Sequence, residues 1–289
     1  MTIAIPDHVT LDAGQGGLPR LRIRNALGAA EVYLDGGHVT SFAPAGAADL
    51  LWMSAKSLFA EGKPIRGGIP LCWPWFGPDP KGLGRAGHGV ARLARWTPVA
   101  AGQLHDGRTR VDLALDPCPA TAPGIDQPFH LDLALIVGRE LEVRFTTVNT
   151  GRSALTIDDA LHTYFAIRDI RTTTVRGLEG VPYIDKVDGA RRRIQDGVIA
   201  FTGETDRVYL PTTGTVVIDD GVRRIRVAKH GSAATVVWNP WTAKAKAMPD
   251  FGDDEWTGMV CVESANCVDA PIHLLPGTAH TTTQIIGLE

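Results

Sequence analysis

The sequence predicts an all-β protein, a single large antiparallel β-sandwich, on three observations. Apolar and polar residues alternate at a period of two along many short segments. Glycine-bearing turn signals separate them, as in LDGGH, NTGRS, TTGT, DDGV and KHGS. Windows with helical periodicity are few. Short strands punctuated in this way are the pattern of a sandwich or barrel.

The strands can be justified in chain order. HLDLALIV (130–137) alternates, and LEVRFTTVN (141–149) follows it. In the latter Leu141, Val143 and Phe145 share one face while Glu142, Arg144 and Thr146 share the other, as in a half-buried strand. TVVIDD (215–220), RRIRVAKH (223–230) and AATVVWN (233–239) repeat the theme. An earlier window, AADLLWMSAKSLF (47–59), carries Leu50, Leu51, Met53 and Leu58 at helical spacing but reads equally as strand plus turn. No fixed-period repeat, low-complexity segment or change of composition marks a linker. The 289 residues, 44% hydrophobic, are therefore expected to form one domain spanning 1–289.

Composition excludes several function classes. A net charge of -3 argues against a long-range grip on nucleic acid. No apolar run approaches the ~18 residues of a membrane span. The N-terminus MTIAIPDHVTLDAG lacks a basic region followed by an apolar one. A soluble, cytoplasmic protein with no nucleic-acid or membrane partner is the expectation. Cys72, Cys118, Cys261 and Cys267 form no C-x-x-C pair, so they are expected to be buried reduced thiols, with no metal signature.

The candidate chemistry begins at RGGIPLCWPWFGP (66–78), which holds one cation, three glycines, three prolines and three large aromatics. Gly67 and Gly68 permit unusual backbone angles and close approach of a ligand, and the prolines stiffen the loop. Flat aromatic faces suit the C–H face of a sugar, and Arg66 suits its oxygens. The expectation is a preformed sugar platform; the alternative is an aromatic plug sealing the end of the sandwich. GRAGHGVARLARW (84–96) follows, with Arg85, His88, Arg92 and Arg95. A loop His is ordinarily a surface group, yet an Arg fork also matches phosphate oxygens.

DDALHTYFAIRDI (158–170) places His162 among apolar and aromatic neighbours, where a core histidine is the plain alternative. VCVESANCVD (260–269) places Glu263 inside an apolar run. Such a carboxylate either sits on the polar face of a strand or carries a raised pKa in a pocket. FTGETDRVYL (201–210) supplies Glu204, Asp206 and Arg207, which also suit a charged edge. Each signal is weak alone. Together one Glu, two His, two Arg and an aromatic surface, without a nucleophile elbow, suggest proton transfer on a carbohydrate.

At these residues the sequence resembles the hexose-6-phosphate mutarotases, or glucose-6-phosphate 1-epimerases, of the aldose-1-epimerase superfamily. The carriers are RGGIPLCWPWFGP, HGVARLARW, LHTYFAI, GLEGVPYIDK, ETDRVY, VVWNPW and VCVESANC, in family order over about 30–289. The resemblance implies a galactose-mutarotase-like supersandwich that interconverts the α and β anomers of a hexose 6-phosphate, glucose 6-phosphate above all. It implies no cofactor and no metal, a sugar-phosphate ligand, and a monomer or weak dimer. By motif, His162 matches the general acid and Glu263 the general base. His88 matches a second histidine that holds ring oxygens, Arg66 and Asp206 match sugar contacts, and Arg92 matches an arginine at the phosphate-bearing end. Arg85 is a further candidate beside them. Gly87 stands where related sequences often carry Gln, which bears on sugar preference. Three other readings stay open: an aldose 1-epimerase on unphosphorylated sugars, a non-catalytic carbohydrate-binding protein, and a hydrolase using Asp206 with Glu263.

Overall fold

The computed structural model describes residues 6–117 and 125–289; Cys118 lies outside the described residues. Strands dominate, and all the named strand pairs are antiparallel. A four-stranded meander comes first, in the order Val9–Ala13, Pro19–Arg24, Gly28–Tyr33 and His38–Pro44. Two large sheets follow, of nine and eight strands.

The nine-stranded sheet runs from Ile199–Ala200 at one edge to Thr97–Gln103 at the other. Its middle is Arg224–His230, Ala279–Leu288, Leu141–Asn149 and Phe129–Val137. Here the period-two pattern works as read. Leu131, Leu133, Leu135, Leu141, Val143 and Phe145 are fully buried on one face, while Arg144 is exposed on the other. Burying apolar surface stabilises by roughly 25 cal/mol per Å², so each alternating pair fixes which face turns inward.

The eight-stranded sheet positions the chemistry. Its order is Arg191–Ile194, Pro182–Asp185, Thr205–Tyr209, Ala234–Asn239, Met259–Asn266, Asp159–Leu161 and Leu71–Cys72. Tyr164–Ala166 also pairs with Met259–Asn266. Every residue of Met259–Asn266 is buried. Its apolar run covers one face with the main core, which holds Val262, Phe165 and Phe145. On the other face a smaller cluster of Cys72, Ala160, Val208, Val236, Ala265 and Cys267 packs under Phe76.

One segment settles an open alternative and another is new. The window 47–59 takes the strand-plus-turn alternative, with bridges Leu51 to Phe165 and Met53 to Gly67. Its buried Leu50 and Leu51 join the core through β contacts that a helix would have broken. An α-helix, Trp241–Ala247, stands where no helix is expected, because seven residues are too few to show a periodicity. No helix among the described residues is long and apolar enough to cross a membrane. Cys72, Cys261 and Cys267 are buried and unbridged.

Candidate active site

The site starts from strand register. Leu161 pairs with Ser264 and Tyr164 with Cys261. That register sets His162 opposite Glu263 and Thr163 opposite Val262, although the ladder is interrupted there. His162 Nε2 lies 3.4 Å from Glu263 Oε1, within ion-pair range but outside hydrogen-bond geometry. His162 Nδ1 and Glu263 Oε2 are buried without hydrogen-bond partners among the described residues. Both residues line a cavity of about 440 Å³. The histidine ring is stacked on Tyr164, with centroids 5.0 Å apart and planes at 15°.

Besides the segments of His162 and Glu263, six others contribute to the cavity. Val236 and Trp238 extend its floor from the strand beside Glu263. Asp206 pairs with Trp238 one strand further on. Arg66 and Phe76 come from the 66–78 loop, His88 and Arg92 from the segment after it. Lys186 comes from the tip of the hairpin Pro182–Asp185 to Arg191–Ile194, and Lys244 from the helix. All six expected site residues, Arg66, His88, Arg92, His162, Asp206 and Glu263, therefore line one cavity.

The 66–78 loop is only partly a platform. Trp73 and Trp75 are buried in the core, Trp73 packing on Phe129 with centroids 4.3 Å apart. Only Phe76 of the three reaches the cavity; Tyr164 and Trp238 supply the other aromatic surface. Gly67 and Gly68 serve strand packing. Both have positive φ, and a Cβ would lie 2.4 Å from the Trp52 carbonyl at Gly67 and 2.1 Å from the Val39 carbonyl at Gly68. Both alternatives read from the sequence hold in part, because the loop seals the sandwich with its tryptophans and faces the cavity with Arg66 and Phe76.

The cations differ in how they are engaged. Arg66 donates to Tyr164 Oη at 2.9 Å and pairs with Asp250 at 3.0 Å. Lys244 pairs with Glu204 at 2.7 Å, and both Lys186 and Lys244 stand 3.9 Å from Asp206. Arg92 donates to the Gly87 carbonyl at 2.7 Å, has a buried Nε without a partner, and carries no ion pair among the described residues. Burial pulls its pKa down. Arg85 is not part of the cavity. It is bonded to Asp79 and lies over the Trp75 ring at 4.1 Å. It lines a separate cavity of about 550 Å³ with Pro74, Trp75 and Thr156, larger but without an acid–base pair.

Burial dominates the electrostatics. It pushes the Glu263 carboxyl well above the usual range, with Lys186 opposing and Asp206 adding to the effect. It pushes His162 well below the ordinary imidazole value, and the charges of His88, Arg92 and Arg66 act in the same direction. Burial thus favours the uncharged forms of the pair, the raised carboxyl being one of the two alternatives the sequence left open for Glu263. Burial, with Arg92 and the other cations, brings His88 down to about 3. The Gly77 N–H points to His88 Nδ1 at 3.4 Å, which leaves the ring proton on Nε2. Burial also raises Asp206, against the two lysines.

His162, Cys261 and Glu263 offer three donor atoms within 4.8 Å of one another, a set that could hold a metal ion. Burial holds the Cys261 thiol well above its ordinary pKa, which opposes the deprotonation that ligation needs.

Lys186, Lys244, Tyr164, Trp238 and Asp250 had no role in the sequence reading. Lys186, Tyr164 and Trp238 sit inside the quoted motifs GLEGVPYIDK, LHTYFAI and VVWNPW. Nothing in the sequence marks Asp250, which reaches Arg66 only in the fold.

Comparisons with known proteins identify the family and the fold. The family model described as Aldose 1-epimerase matches residues 19–287. Two relatives bear the name "Putative glucose-6-phosphate 1-epimerase". One, from Cenchrus ciliaris, is 37% identical over 90% of this chain and 82% of its own length. The other, from Escherichia coli, is 37% identical over 80% of this chain and 78% of its own. The crystal structure of a "putative mutarotase" from Salmonella typhimurium superposes with a TM-score of 0.91 at 31% identity, covering 99% of this chain and 95% of that one. A "galactose mutarotase related enzyme" from Lactobacillus acidophilus, 14% identical, shares the fold with a TM-score of 0.72 over 93% of this chain and 96% of that one.

Proposed function

The chain belongs to the aldose 1-epimerase family, and from that premise we propose that it interconverts the α and β anomers of a hexose 6-phosphate, with His162 and Glu263 moving the protons. Glucose 6-phosphate is the substrate this reading names. The observation that carries the site assignment is the 3.4 Å approach of His162 Nε2 to Glu263 Oε1 on the floor of a cavity that also holds Arg92, which has no ion pair among the described residues.

Anomers interconvert by opening the pyranose ring. Glu263 as carboxylate takes the proton of the O1 hydroxyl, and His162 as imidazolium gives one to the ring oxygen O5. The C1–O5 bond breaks and C1 becomes an aldehyde. Rotation about C1–C2 presents the other face, and the same two transfers run backwards to close the ring. The pair holds one proton before opening and one after it, so atoms and charge balance within the site.

Burial gives this scheme its energetics. The open-chain state leaves Glu263 protonated and His162 neutral, the forms that burial favours. The charge-separated pair that starts the reaction is therefore raised in energy relative to the pair that opening produces, and proton transfer is brought nearer to balance in both directions. Each such group typically contributes ~10²–10⁴-fold.

The remaining groups bind. His88 can donate Nε2–H to a sugar oxygen, and Asp206 with Arg66 can hold hydroxyls. Arg92, with no carboxylate beside it, suits the phosphate at C6, far from the reacting carbon. A phosphate near Arg92 and Arg66 also offsets the positive field that disfavours imidazolium at His162. Anomer exchange of glucose 6-phosphate, followed by NMR saturation transfer on wild type and Glu263→Gln, tests the reading. Acceleration by wild type and its loss in the variant are expected; sugar binding without acceleration would instead support a non-catalytic carbohydrate-binding protein.

A further inference from the structure

We propose that Gln284 is a positioning residue: its buried amide clamps the segment that carries His162 to the strand that carries Glu263, from behind the cavity floor. The inference rests on His162 and Glu263 being the reacting pair. Side chains alternate along extended backbone, so neighbours of cavity residues turn the other way. His162 and Tyr164 line the cavity, and Thr163 between them is completely buried. Ser264, next to Glu263, is also buried.

Gln284 reaches this place from the opposite sheet, on Ala279–Leu288, and is completely buried. Thr163 Oγ1 donates to Gln284 Oε1 at 2.5 Å. Gln284 Nε2 donates to the Val262 carbonyl at 3.2 Å and to Ser264 Oγ at 3.0 Å. A carbonyl can only accept, so Val262 fixes which end of the amide is nitrogen. One side chain thus holds the residue after His162 and the residues on both sides of Glu263.

The clamp sits where the backbone ladder is interrupted, between Leu161 and Tyr164. At the interruption the His162 N–H turns away to the Pro70 carbonyl. A single bond, Val262 N–H to Thr163 O at 3.2 Å, ties the two segments there. A fully satisfied buried polar network is rigid. Without the amide, Nε2 and Oε1 are free to drift, and a shift of ~1 Å can cost about 10²-fold in rate.

The test measures kcat and KM for glucose 6-phosphate anomerisation, with thermal midpoints, in Thr163→Val, Thr163→Ser, Gln284→Met, the Thr163→Val/Gln284→Met double variant and Glu263→Gln. Thr163→Val and Gln284→Met should lower kcat by about 10- to 100-fold with KM within about twofold. Thr163→Ser, which keeps the hydroxyl, should stay near wild type, and the double variant should lose little more than the worse single. A folded Thr163→Val with wild-type kcat would overturn the clamp, as would an equal loss in Thr163→Ser. The Thr163 pair decides the matter should Gln284→Met fail to fold. Full activity in Glu263→Gln would instead sink the catalytic assignment; an inactive Glu263→Gln beside an unimpaired Thr163→Val sinks only the positioning role.

Discussion

Arg92 donates from Nη2 to the backbone carbonyl of Gly87 at 2.7 Å, and no carboxylate among the described residues neutralises it. Its neighbours in the cavity are all engaged: Arg66 by Asp250, Lys244 by Glu204, Lys186 by Asp206 at longer range. A half-buried, unpaired guanidinium is costly to keep, and a dianionic ligand removes that cost.

The phosphate assignment therefore predicts a selective defect. Arg92→Met keeps the apolar stem and removes the charge. A charged hydrogen bond is worth about 1.5–3 kcal/mol, so kcat/KM for glucose 6-phosphate should fall by about 10- to 100-fold. Anomerisation of free glucose should change little. Equal losses on the two sugars, measured side by side by NMR exchange, would count against a phosphate at Arg92.

Gly87 predicts a different outcome. Its φ is not in the left-handed region, and an added Cβ would lie 3.4 Å from the Gly77 carbonyl, an ordinary contact. Gly87→Gln should therefore fold normally. Gly77, Pro78 and His88 border the cavity nearby, so a glutamine here gains a polar reach to the ligand. One neutral hydrogen bond is worth about 0.5–1.5 kcal/mol, and KM for hexose 6-phosphates should shift by about 2- to 10-fold with kcat unchanged. KM values for several hexose 6-phosphates would reveal it; identical values in wild type and variant would show that the missing side chain does not set preference.

The fold was legible because period-two alternation is a local consequence of burying one face. Leu141–Asn149 could be read residue by residue. His162 and Glu263 were legible as polar residues set in apolar runs. The orientation of aromatics was not. Trp73 and Trp75 belong to the core while Phe76 faces the cavity, and composition cannot tell a ring facing ligand from one facing Leu. Lys186, Lys244 and Asp250 meet the site only through tertiary packing. Gln284 was invisible for the same reason, since its partners lie across the sandwich.

Glu263 makes a prediction in which activity and stability move in opposite directions. In the unfolded chain its carboxyl titrates near 4.5, and burial raises it in the fold. Above that pH the folded state binds more protons than the unfolded one, so this residue lowers stability as pH rises towards the folded pKa. Glu263→Gln removes the titration. Its thermal midpoint should match wild type below pH 4 and exceed it at pH 7, while activity falls by about 10²–10⁴-fold. A lower midpoint at pH 7 would contradict the burial argument.

The same pair sets the pH–rate profile. The active form carries one proton on two groups. Lowering His162 moves the acid limb to lower pH, and raising Glu263 moves the alkaline limb to higher pH. The plateau of kcat/KM should therefore be broader than an unperturbed Glu and His would give. These are macroscopic values of the pair. A narrow bell confined between 4.5 and 6.5 would show that the buried environment does not control the protons.

Lys229 tests the energetics away from the site. It is 5% exposed, and its Nζ donates to the Ala234 carbonyl at 2.6 Å and lies 3.2 Å from Ser232 Oγ. It has no ion pair among the described residues, and burial lowers its pKa from 10.5 to about 7, with Cys267 opposing. Between those values the unfolded chain binds the extra proton, so stability rises with pH from 7 to 10.5; below 7 the full penalty remains. That penalty has an upper bound of about 5 kcal/mol at 1.36 kcal/mol per pKa unit. Lys229→Met should remove it without orphaning its partners. Ser232 Oγ still donates to the Ala234 carbonyl at 2.9 Å and approaches the Ala265 carbonyl at 3.0 Å. The variant should melt higher than wild type at pH 6–7, and the difference should shrink towards pH 9.5. A variant that melts lower at every pH would show that the ammonium group stabilises the sheet it is buried in.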